Sequence, residues 1–352
     1  MSQIELIREL TLTSGISGHE SAVSAIMKRE LPSADRIEHD RIGNHTFFYS
    51  GIKQEPRILL CAHLDEIGFL VSAILPSGFI RFQNIGGWDP NTLLSSPVEI
   101  INEDDQAIPG IIGSLPIHFQ KDRKEQPDLN KMFIDIGATS DREVMEKFKI
   151  KLGNPVVPVP NFHYNSESNI VFSKAFDDRI GIAALIELGK YLEDNTHPNT
   201  VLLTGSVQEE VGTRGARTLA RTVQADLCLI LEGAPADDYP GYSGQTQTAM
   251  GKGCHIRLFD PTLLVHKGLK KIILDTADKY QIRYQPAVRK GGGTDGMQLY
   301  TAAFGIPTIV LGVPVRYAHS HNCMVSLDDY QELIKLLKAI VSDFDSSTLE
   351  NL

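Results

Sequence analysis

Two histidines and four carboxylates, spread over five short segments, are the residues of this sequence that could do chemistry together. They are His63, Asp177, Glu209, Glu210, Glu232 and His319. Three of the segments follow apolar runs, at 57–61, 201–203 and 227–231, which are typical of buried strands. Ligands of an open α/β sheet bind outside the carboxyl ends of its strands, so these side chains are expected to converge. Two imidazoles and three carboxylates suit a pair of zinc-like ions, with one carboxylate left as a base, which predicts a hydrolase site.

The motif His63-x-Asp65 places two useful side chains on one face of an extended segment, because strand side chains alternate. His63 could ligate a metal while Asp65 accepts its other ring N–H and fixes the tautomer. Asp177 and Asp178 open a predicted helix. Asp177 could bridge two metal ions there, or it could only cap the helix N-terminus.

Glu209 and Glu210 stand side by side after an apolar run, and adjacent carboxylates repel each other unless something compensates. A metal bound by Glu210, with Glu209 turned toward a water as general base, would compensate. A solvated surface pair is the alternative. Glu232 closes another apolar run and needs a partner, which is either a metal or an arginine.

The last imidazole of the set comes from His319 or from His321, two residues further along. The glycine-rich stretch Gly291–Gly296 resembles a phosphate cradle but lacks the residue order of one. We therefore expect it to form a flexible active-site or substrate loop.

The elements around these residues alternate between strand and helix. Helix periodicity predicts a first helix from Ile4, and Ser17–Glu20 has the pattern of a capping box for a second one. Further on, the predicted elements are helix 180–192, strand 200–207, helix 214–221, strand 225–231, helix 266–280, strand 308–311 and helix 327–342. This alternation predicts an α/β fold with a mostly parallel central sheet flanked by helices, as in zinc peptidases.

The segment from residue 70 to residue 166 has a different pattern, with short β-like runs separated by Gly, Pro, Asn and Asp. It predicts a small β-barrel or sandwich inserted into the α/β domain. We expect a discontinuous catalytic domain over 1–69 and 167–352 and an inserted oligomerisation domain over 70–166. The charged stretch 120–126 is expected to be a solvated loop.

Bulk properties exclude several classes of function. The 352 residues carry a formal net charge of −10, which argues against a general nucleic-acid or anionic-membrane surface. No uncharged apolar stretch approaches the roughly 20 residues that span a bilayer. The N-terminus has charges and no apolar core typical of a secretory signal. The four dispersed cysteines predict reduced core residues, so a cytoplasmic protein is expected.

Taken in order, the motifs resemble those of the dinuclear metallo-aminopeptidases of the glutamyl, deblocking and tetrahedral (TET-type) family, some of which carry endoglucanase names. The matching segments are 62–69, 175–179, 208–212, 232–233, 292–295 and 314–320. The resemblance implies zinc or cobalt at two sites that share Asp177, one completed by His63 and Glu232, the other by Glu210 and His319. It also implies Glu209 as general base, Asp65 as the residue that orients His63, and a hollow tetrahedral dodecamer.

The reaction expected from this resemblance is removal of N-terminal residues from short peptides. A related dinuclear amidohydrolase, such as a deacylase or carboxypeptidase, would use the same ligands on a different substrate end. A glycosidase would need two carboxylates and no metal. A non-enzymatic shell protein would share the scaffold and turn nothing over.

Overall fold

The structure, a computed structural model, describes residues 1–114, 116–119 and 127–352. The segment 120–126, expected to be a solvated loop, lies outside these residues. The described chain forms a large mixed sheet covered by helices, together with a small closed barrel. The expected α/β fold with an inserted β domain is thus confirmed, and the β domain is a barrel.

Helices occur along the chain from its N-terminal to its C-terminal part. They are α1 (Gln3–Leu12), α2 (Ser21–Glu30), α3 (Asp141–Glu146), α4 (Phe176–Asp194), α5 (Arg214–Leu219), α6 (Lys267–Lys279), α7 (Gly296–Leu299), α8 (Leu327–Asp343) and α9 (Ser346–Leu349), with short 3-10 turns at Pro90–Thr92, Ile117–Phe119 and Leu129–Lys131. Of the helices in the described ranges, none is long and apolar enough to cross a membrane.

The strands divide between the two sheets. The large sheet contains β1 (Arg36–His39), β2 (His45–Tyr49), β3 (Arg57–His63), β10 (His163–Asn165), β11 (Ile170–Ser173), β12 (Thr200–Ser206), β13 (Leu227–Pro235), β14 (Cys254–Asp260), β15 (Leu263–Leu264), β16 (Tyr284–Val288), β17 (Thr308–Arg316) and β18 (Cys323–Ser326). The barrel contains β4 (Gly68–Ile74), β5 (Ile80–Ile85), β6 (Pro97–Ile101), β7 (Ala107–Ile112), β8 (Ile134–Asp135) and β9 (Pro155–Pro158).

Four neighbouring parallel strands, in the order β12, β3, β13 and β17, form the middle of the large sheet. Residues 58–62 of β3 are all buried, which explains their continuous apolar run, since such strands are covered on both faces. Helices α4 and α8 contact each other and pack on these strands, while α7 contacts β13 and β17 and also α5. Because Ser206 and His63 are register partners, β12 and β3 end at the same level and bring their following segments together.

Two central strands run further than their apolar pattern predicts. β13 was expected to end at Leu231 and β17 at Leu311, but they reach Pro235 and Arg316. They stay paired because the parallel register continues from Glu232 opposite Gly312 to the strand ends. Glu232 therefore lies within a strand and not after its end.

The expected capping box at Ser17–Glu20 is wrong. Helix α2 begins at Ser21, and Glu20 makes no side-chain cap bond. The Ser17 hydroxyl instead donates to Asp65 Oδ2 at 2.6 Å, while Glu20 Oε1 accepts from Gln208 N at 3.1 Å. A hydroxyl beside a buried carboxylate gains a charge-assisted hydrogen bond, which is stronger than a neutral helix cap.

The barrel has its own apolar core, separate from the core of the large sheet, and Phe69, Trp88 and Ile100 belong to it. Its first strand begins at Gly68, and the chain has returned to the large sheet by His163. The expected division at residues 69/70 and 166/167 remains a prediction.

Candidate metal centre and active site

His63 is the last residue of β3, and its ring is only 2% exposed. Its Nδ1 lies 3.1 Å from the backbone carbonyl oxygen of Asp65 and 3.5 Å from Asp65 Oδ1. Nε2 points the other way, to Asp177 Oδ1 at 3.1 Å. Asp65 therefore holds the ring by Nδ1 and leaves Nε2 as the atom that could ligate a metal.

The fully buried Asp65 carboxylate also fixes the segment that carries the paired glutamates. Its Oδ1 accepts a hydrogen bond from Glu209 N at 3.0 Å, and its Oδ2 accepts from Glu210 N at 3.1 Å and from the Ser17 hydroxyl. Burial would raise the pKa of Asp65, but the contact with His63 and these donors hold it below its usual value. One carboxylate thus sets the position of His63 relative to both glutamates.

Asp177 stands between the two imidazoles at the start of α4. Its Oδ1 is 3.1 Å from His63 Nε2, and its Oδ2 is 3.4 Å from His319 Nε2. The capping alternative for Asp177 does not hold, because its carboxylate oxygens face the two imidazoles and the backbone at Asp177 and Asp178 is not yet helical. The neighbouring Asp178 accepts from Gly181 N at 3.1 Å and so bonds the first turn instead.

Glu209 and Glu210 follow β12 and line one cavity with Asp177. Glu210 Oε1 is 3.5 Å from His319 Nε2, and its side chain is only 6% exposed. A solvated surface pair does not describe these residues, since the Glu210 side chain is largely enclosed beside the His319 ring. The pair lies where one carboxylate can reach a metal and the other can face the cavity.

Glu232 Oε2 lies 4.0 Å from His63 Nε2, on the side of His63 that faces Asp177. Arg257 lines the same cavity and is the arginine that could have been its partner. Its guanidinium pairs instead with Asp260, Nη1 to Oδ2 at 3.3 Å. The metal alternative for Glu232 therefore fits the geometry better.

His319, and not His321, joins the carboxylates. It lies in the loop after β17 with a φ of +59°, and its Nε2 approaches Asp177 and Glu210. His321 points to the barrel, with Nε2 3.3 Å from the Ser96 hydroxyl. Of the two histidines that the sequence left open, the geometry therefore favours His319 as the ligand.

Five of these positions form two groups of three that share Asp177: His63, Asp177 and Glu232, and Asp177, Glu210 and His319. In each group the potential ligand atoms all lie within 4.8 Å of one another. Burial, with Asp177 nearby, raises the pKa of Glu210 to about 7 and the pKa of Glu232 well above its usual value. Buried carboxylates this close require compensating cations, and mixed imidazole and carboxylate donors are those that zinc-like ions prefer. The residues fit a pair of divalent metals.

Burial and neighbouring charges also shift the pKa values of the two histidines and of Glu209. Burial would lower the pKa of His63 and His319, but hydrogen bonds to Asp177 and nearby carboxylates raise both, that of His319 to about 10. Burial, together with the charges of Glu232 and Asp295, raises the pKa of Glu209 well above its usual value. Glu209 is thus one of the cavity carboxylates whose proton affinity is raised by its surroundings.

The cavity beside these groups has a volume of about 420 Å³ and contains two arginines that the sequence reading missed. Arg257 on β14 is buried, and its Nε has no hydrogen-bond partner within the described residues. Arg289 donates to Asp237, Pro235 and Thr248. The glycine-rich stretch Gly291–Gly296, expected to be an active-site or substrate loop, also lines the cavity through its residues 291–294. A charged residue inside an apolar strand was the signal that could have identified Arg257.

Curated relatives match almost the whole chain. The chain is 35% identical over 344 residues to the putative aminopeptidase FrvX of Escherichia coli K12, covering 96% of this chain and 95% of that protein. It is 30% identical to the glutamyl aminopeptidase of Lactococcus lactis, over 98% of both chains. It is also 30% identical to the lysyl aminopeptidase of Pyrococcus furiosus, over 96% of both.

Solved structures give the same result. The TET aminopeptidase of a marine sediment archaeon of the Thaumarchaeota superposes with a TM-score of 0.95 at 38% identity, covering 99% of this chain and 98% of that one. The TET1 peptidase of Pyrococcus horikoshii, which can assemble into a tetrahedron or a large octahedral shell, has a TM-score of 0.87 at 31% identity, covering 97% and 100%. The deacylase, carboxypeptidase and glycosidase alternatives are not favoured by these matches.

The family model described as M42 glutamyl aminopeptidase matches residues 43–336, which is most of the chain. Together with the relatives, this match answers the question that the sequence motifs raised. The chain therefore belongs to the M42 glutamyl aminopeptidase family, and it is a metal-dependent aminopeptidase.

Proposed function

We propose that this enzyme removes acidic N-terminal residues from short peptides at a dinuclear metal centre. The observation that carries the proposal is the pair of three-ligand groups that share Asp177 at the edge of a cavity containing two arginines. The glutamyl aminopeptidase among the relatives supports the acidic preference, while the lysyl aminopeptidase shows that preference varies within the family.

His63, Asp177 and Glu232 would hold one ion, and Asp177, Glu210 and His319 the other. Zinc and cobalt both suit this set of donors. When bound, the two ions would supply the positive charge that makes a water molecule more acidic and polarises the scissile carbonyl.

Glu209 would serve as the general base. Its carboxylate accepts a proton from the attacking water and then delivers that proton to the amine that leaves. The raised pKa of Glu209, caused first by burial, favours both halves of this exchange, because the residue holds the proton readily between the two steps. Asp65 keeps Glu209 in place through its bond to the backbone N–H of that residue.

Arg257 and Arg289 would recognise the carboxylate of an acidic N-terminal side chain. Among the described residues, Arg257 forms an ion pair with Asp260 through Nη1, and its Nε–H has no acceptor. Burial lowers the pKa of Arg289, and the positive charge of Arg257 lowers it further. The two guanidinium groups therefore lie close to each other. A substrate carboxylate between two cations in a partly desolvated cavity would gain charge-assisted hydrogen bonds.

The test is metal content together with activity on aminoacyl-p-nitroanilides of Glu, Asp, Lys and Leu, before and after chelation. The proposal expects about two metals per chain, preference for Glu and Asp, loss of activity in chelator and recovery with Zn²⁺ or Co²⁺. Activity on N-acetylated substrates alone would contradict the aminopeptidase, and preference for Lys or Leu would contradict the acidic pocket. Full activity without metal would contradict the centre.

We also propose that the enzyme is a cytoplasmic homo-oligomer, with a tetrahedral dodecamer as the assembly. The assemblies of the Pyrococcus horikoshii peptidase support the oligomer, and four free, buried cysteines support a reducing compartment. Sedimentation velocity should give a mass near twelve chains; a monomer at micromolar concentration would contradict the assembly.

A further inference from the structure

The two imidazoles of the candidate centre are oriented by different parts of the molecule. Nδ1 of His63 is held by Asp65, two residues away on the large sheet. Nδ1 of His319 lies 2.9 Å from the carbonyl oxygen of Gly87, which belongs to the turn after barrel strand β5. The barrel thus supplies the group that orients His319.

The glycine turn, Gly86–Gly87, lies directly against two of the potential ligands. A Cβ atom added to Gly87 would be 3.2 Å from His319 Nδ1 and 3.7 Å from His319 Cε1. A Cβ atom added to Gly86, which has a φ of +76°, would be 3.3 Å from Glu210 Oε2 and 2.3 Å from Ile67 Cγ2. A Cβ atom at Gly87 would therefore press on His319, while one at Gly86 would clash with Ile67 and press on Glu210.

Barrel residues on both sides hold the glycine turn in place. Asn84 Nδ2 donates to the Gly86 carbonyl at 2.9 Å. Trp88 Nε1 donates to the Gly68 carbonyl at 3.2 Å, and the indole stacks on Phe69 with ring centroids 4.9 Å apart. Since Trp88 and Phe69 belong to the barrel core, the position of the Gly87 carbonyl follows the position of the barrel.

We infer that the glycine turn is a positioning element for His319, so that the barrel controls metal binding at the group of Asp177, Glu210 and His319. This inference rests on the metal assignments of the proposed function. With Nδ1–H donated to Gly87 O, Nε2 of His319 is the free ligand atom and faces Asp177 and Glu210. His319 lies on a loop with its side chain 39% exposed, and the Gly87 carbonyl is the group that holds its Nδ1.

Removing the partner that orients a ligating histidine typically weakens metal binding 10- to 100-fold. Gly87→Ala should displace the ring directly, and Asn84→Ala should loosen the turn without adding atoms near it. Both changes should weaken the His319 group and leave the His63 group unchanged, because Asp65 orients His63 independently of the barrel.

Isothermal titration of chelator-treated enzyme with Co²⁺ tests this inference without measuring activity. His319→Ala and His63→Ala first identify which binding event belongs to which group. Gly137→Ala is the matched control, because Gly137 is a barrel glycine with φ +76° and no atom within 4 Å of an added Cβ. It should strain the barrel equally or more and leave both binding events unchanged.

The expected result is a loss of roughly tenfold or more in Co²⁺ affinity for the His319 event alone, in Gly87→Ala and in Asn84→Ala. The inference is overturned if both variants bind as tightly as Gly137→Ala, or if both events weaken equally. Failure of the wild-type enzyme to bind Co²⁺ would overturn it together with the proposed function, so the two failures can be told apart. If Gly87→Ala does not fold, Asn84→Ala decides the question.

Discussion

Glu209 is the residue whose role can be isolated most cleanly. Glu209→Gln keeps the shape of the side chain and removes its ability to accept a proton, while every proposed ligand remains. We expect unchanged metal content and a 10²- to 10⁴-fold lower kcat, the usual contribution of a positioned general base. Metal analysis and steady-state kinetics measure both. Glu103→Gln, on an exposed barrel carboxylate paired with Lys151, should change neither; a loss of kcat below tenfold would remove Glu209 from this role.

Arg257 can be tested separately through the substrate that it would recognise. Arg257→Gln should lower kcat/KM for glutamyl-p-nitroanilide roughly 10- to 100-fold, because a hydrogen bond to a charged group contributes about 1.5–3 kcal/mol. Activity on the leucyl substrate should fall less, so the ratio of the two is the measurement. Arg283→Gln is the control, since this arginine is 53% exposed and pairs with Glu332. Equal losses on both substrates would contradict a specificity role.

The sequence predicted the ligand candidates because their types and their places after apolar runs are local features. The structure brings all five together with Glu209 beside them, and their roles remain predictions. The arginines and the Gly87 carbonyl were missed because their part in the site depends on contacts between distant segments. Backbone atoms such as the Gly87 oxygen carry no sequence signal at all.

At the scale of elements, one buried cation joins the segments that carry the site. Arg179 in α4 is fully buried and donates to the carbonyls of Leu64, Leu10, Thr13 and Gly15, and to Glu66 at 3.3 Å. Glu66 also pairs with buried Lys174. The Arg179 guanidinium thus joins helix α1, the end of strand β3 and helix α4. In this way it fixes the positions of His63 and Asp177 relative to each other.

We therefore expect Arg179→Met to lower the free energy of unfolding by about 3–5 kcal/mol, because it leaves buried carbonyls and part of Glu66 without donors. Urea denaturation of the metal-free protein measures this loss. Arg217→Met, on an exposed position of α5, should change stability by less than about 0.5 kcal/mol. Similar effects of the two substitutions would show that Arg179 does not hold these elements together.

Helix and strand identities in the large sheet were predictable because their apolar periods are long and regular. The ends of the elements were less predictable. Strands β13 and β17 continue past their apolar runs because each pairs with the other. The Ser17–Glu20 pattern failed for a related reason, since its hydroxyl bonds a carboxylate 48 positions away. Local patterns thus predicted the elements, and long-range pairing decided where they end.

At the scale of the whole molecule, the large sheet and the segments that follow its strands carry the proposed ligands, and the barrel contacts one of them, His319. Barrel residues bond the loop that carries His319, through the Gly87 carbonyl to His319 itself and through the Ser96 hydroxyl to His321. A metal ion would bind ligands from the sheet together with His319, which the barrel holds. Metal binding would therefore stabilise the contact between sheet and barrel in addition to the sheet and the barrel themselves.

Metal removal should for this reason lower the thermal midpoint of the whole chain. A ligand that binds only the folded state at 100 times its Kd adds about 2.7 kcal/mol per site, and each kcal/mol shifts Tm by roughly 2–4 °C or less for a chain of this size. Differential scanning calorimetry with and without chelator should thus show a midpoint several degrees lower in the metal-free protein. Asp177→Ala, which removes the shared ligand, should melt at the same temperature in metal and in chelator. A wild-type midpoint insensitive to chelator would contradict both the shared centre and its coupling to the fold.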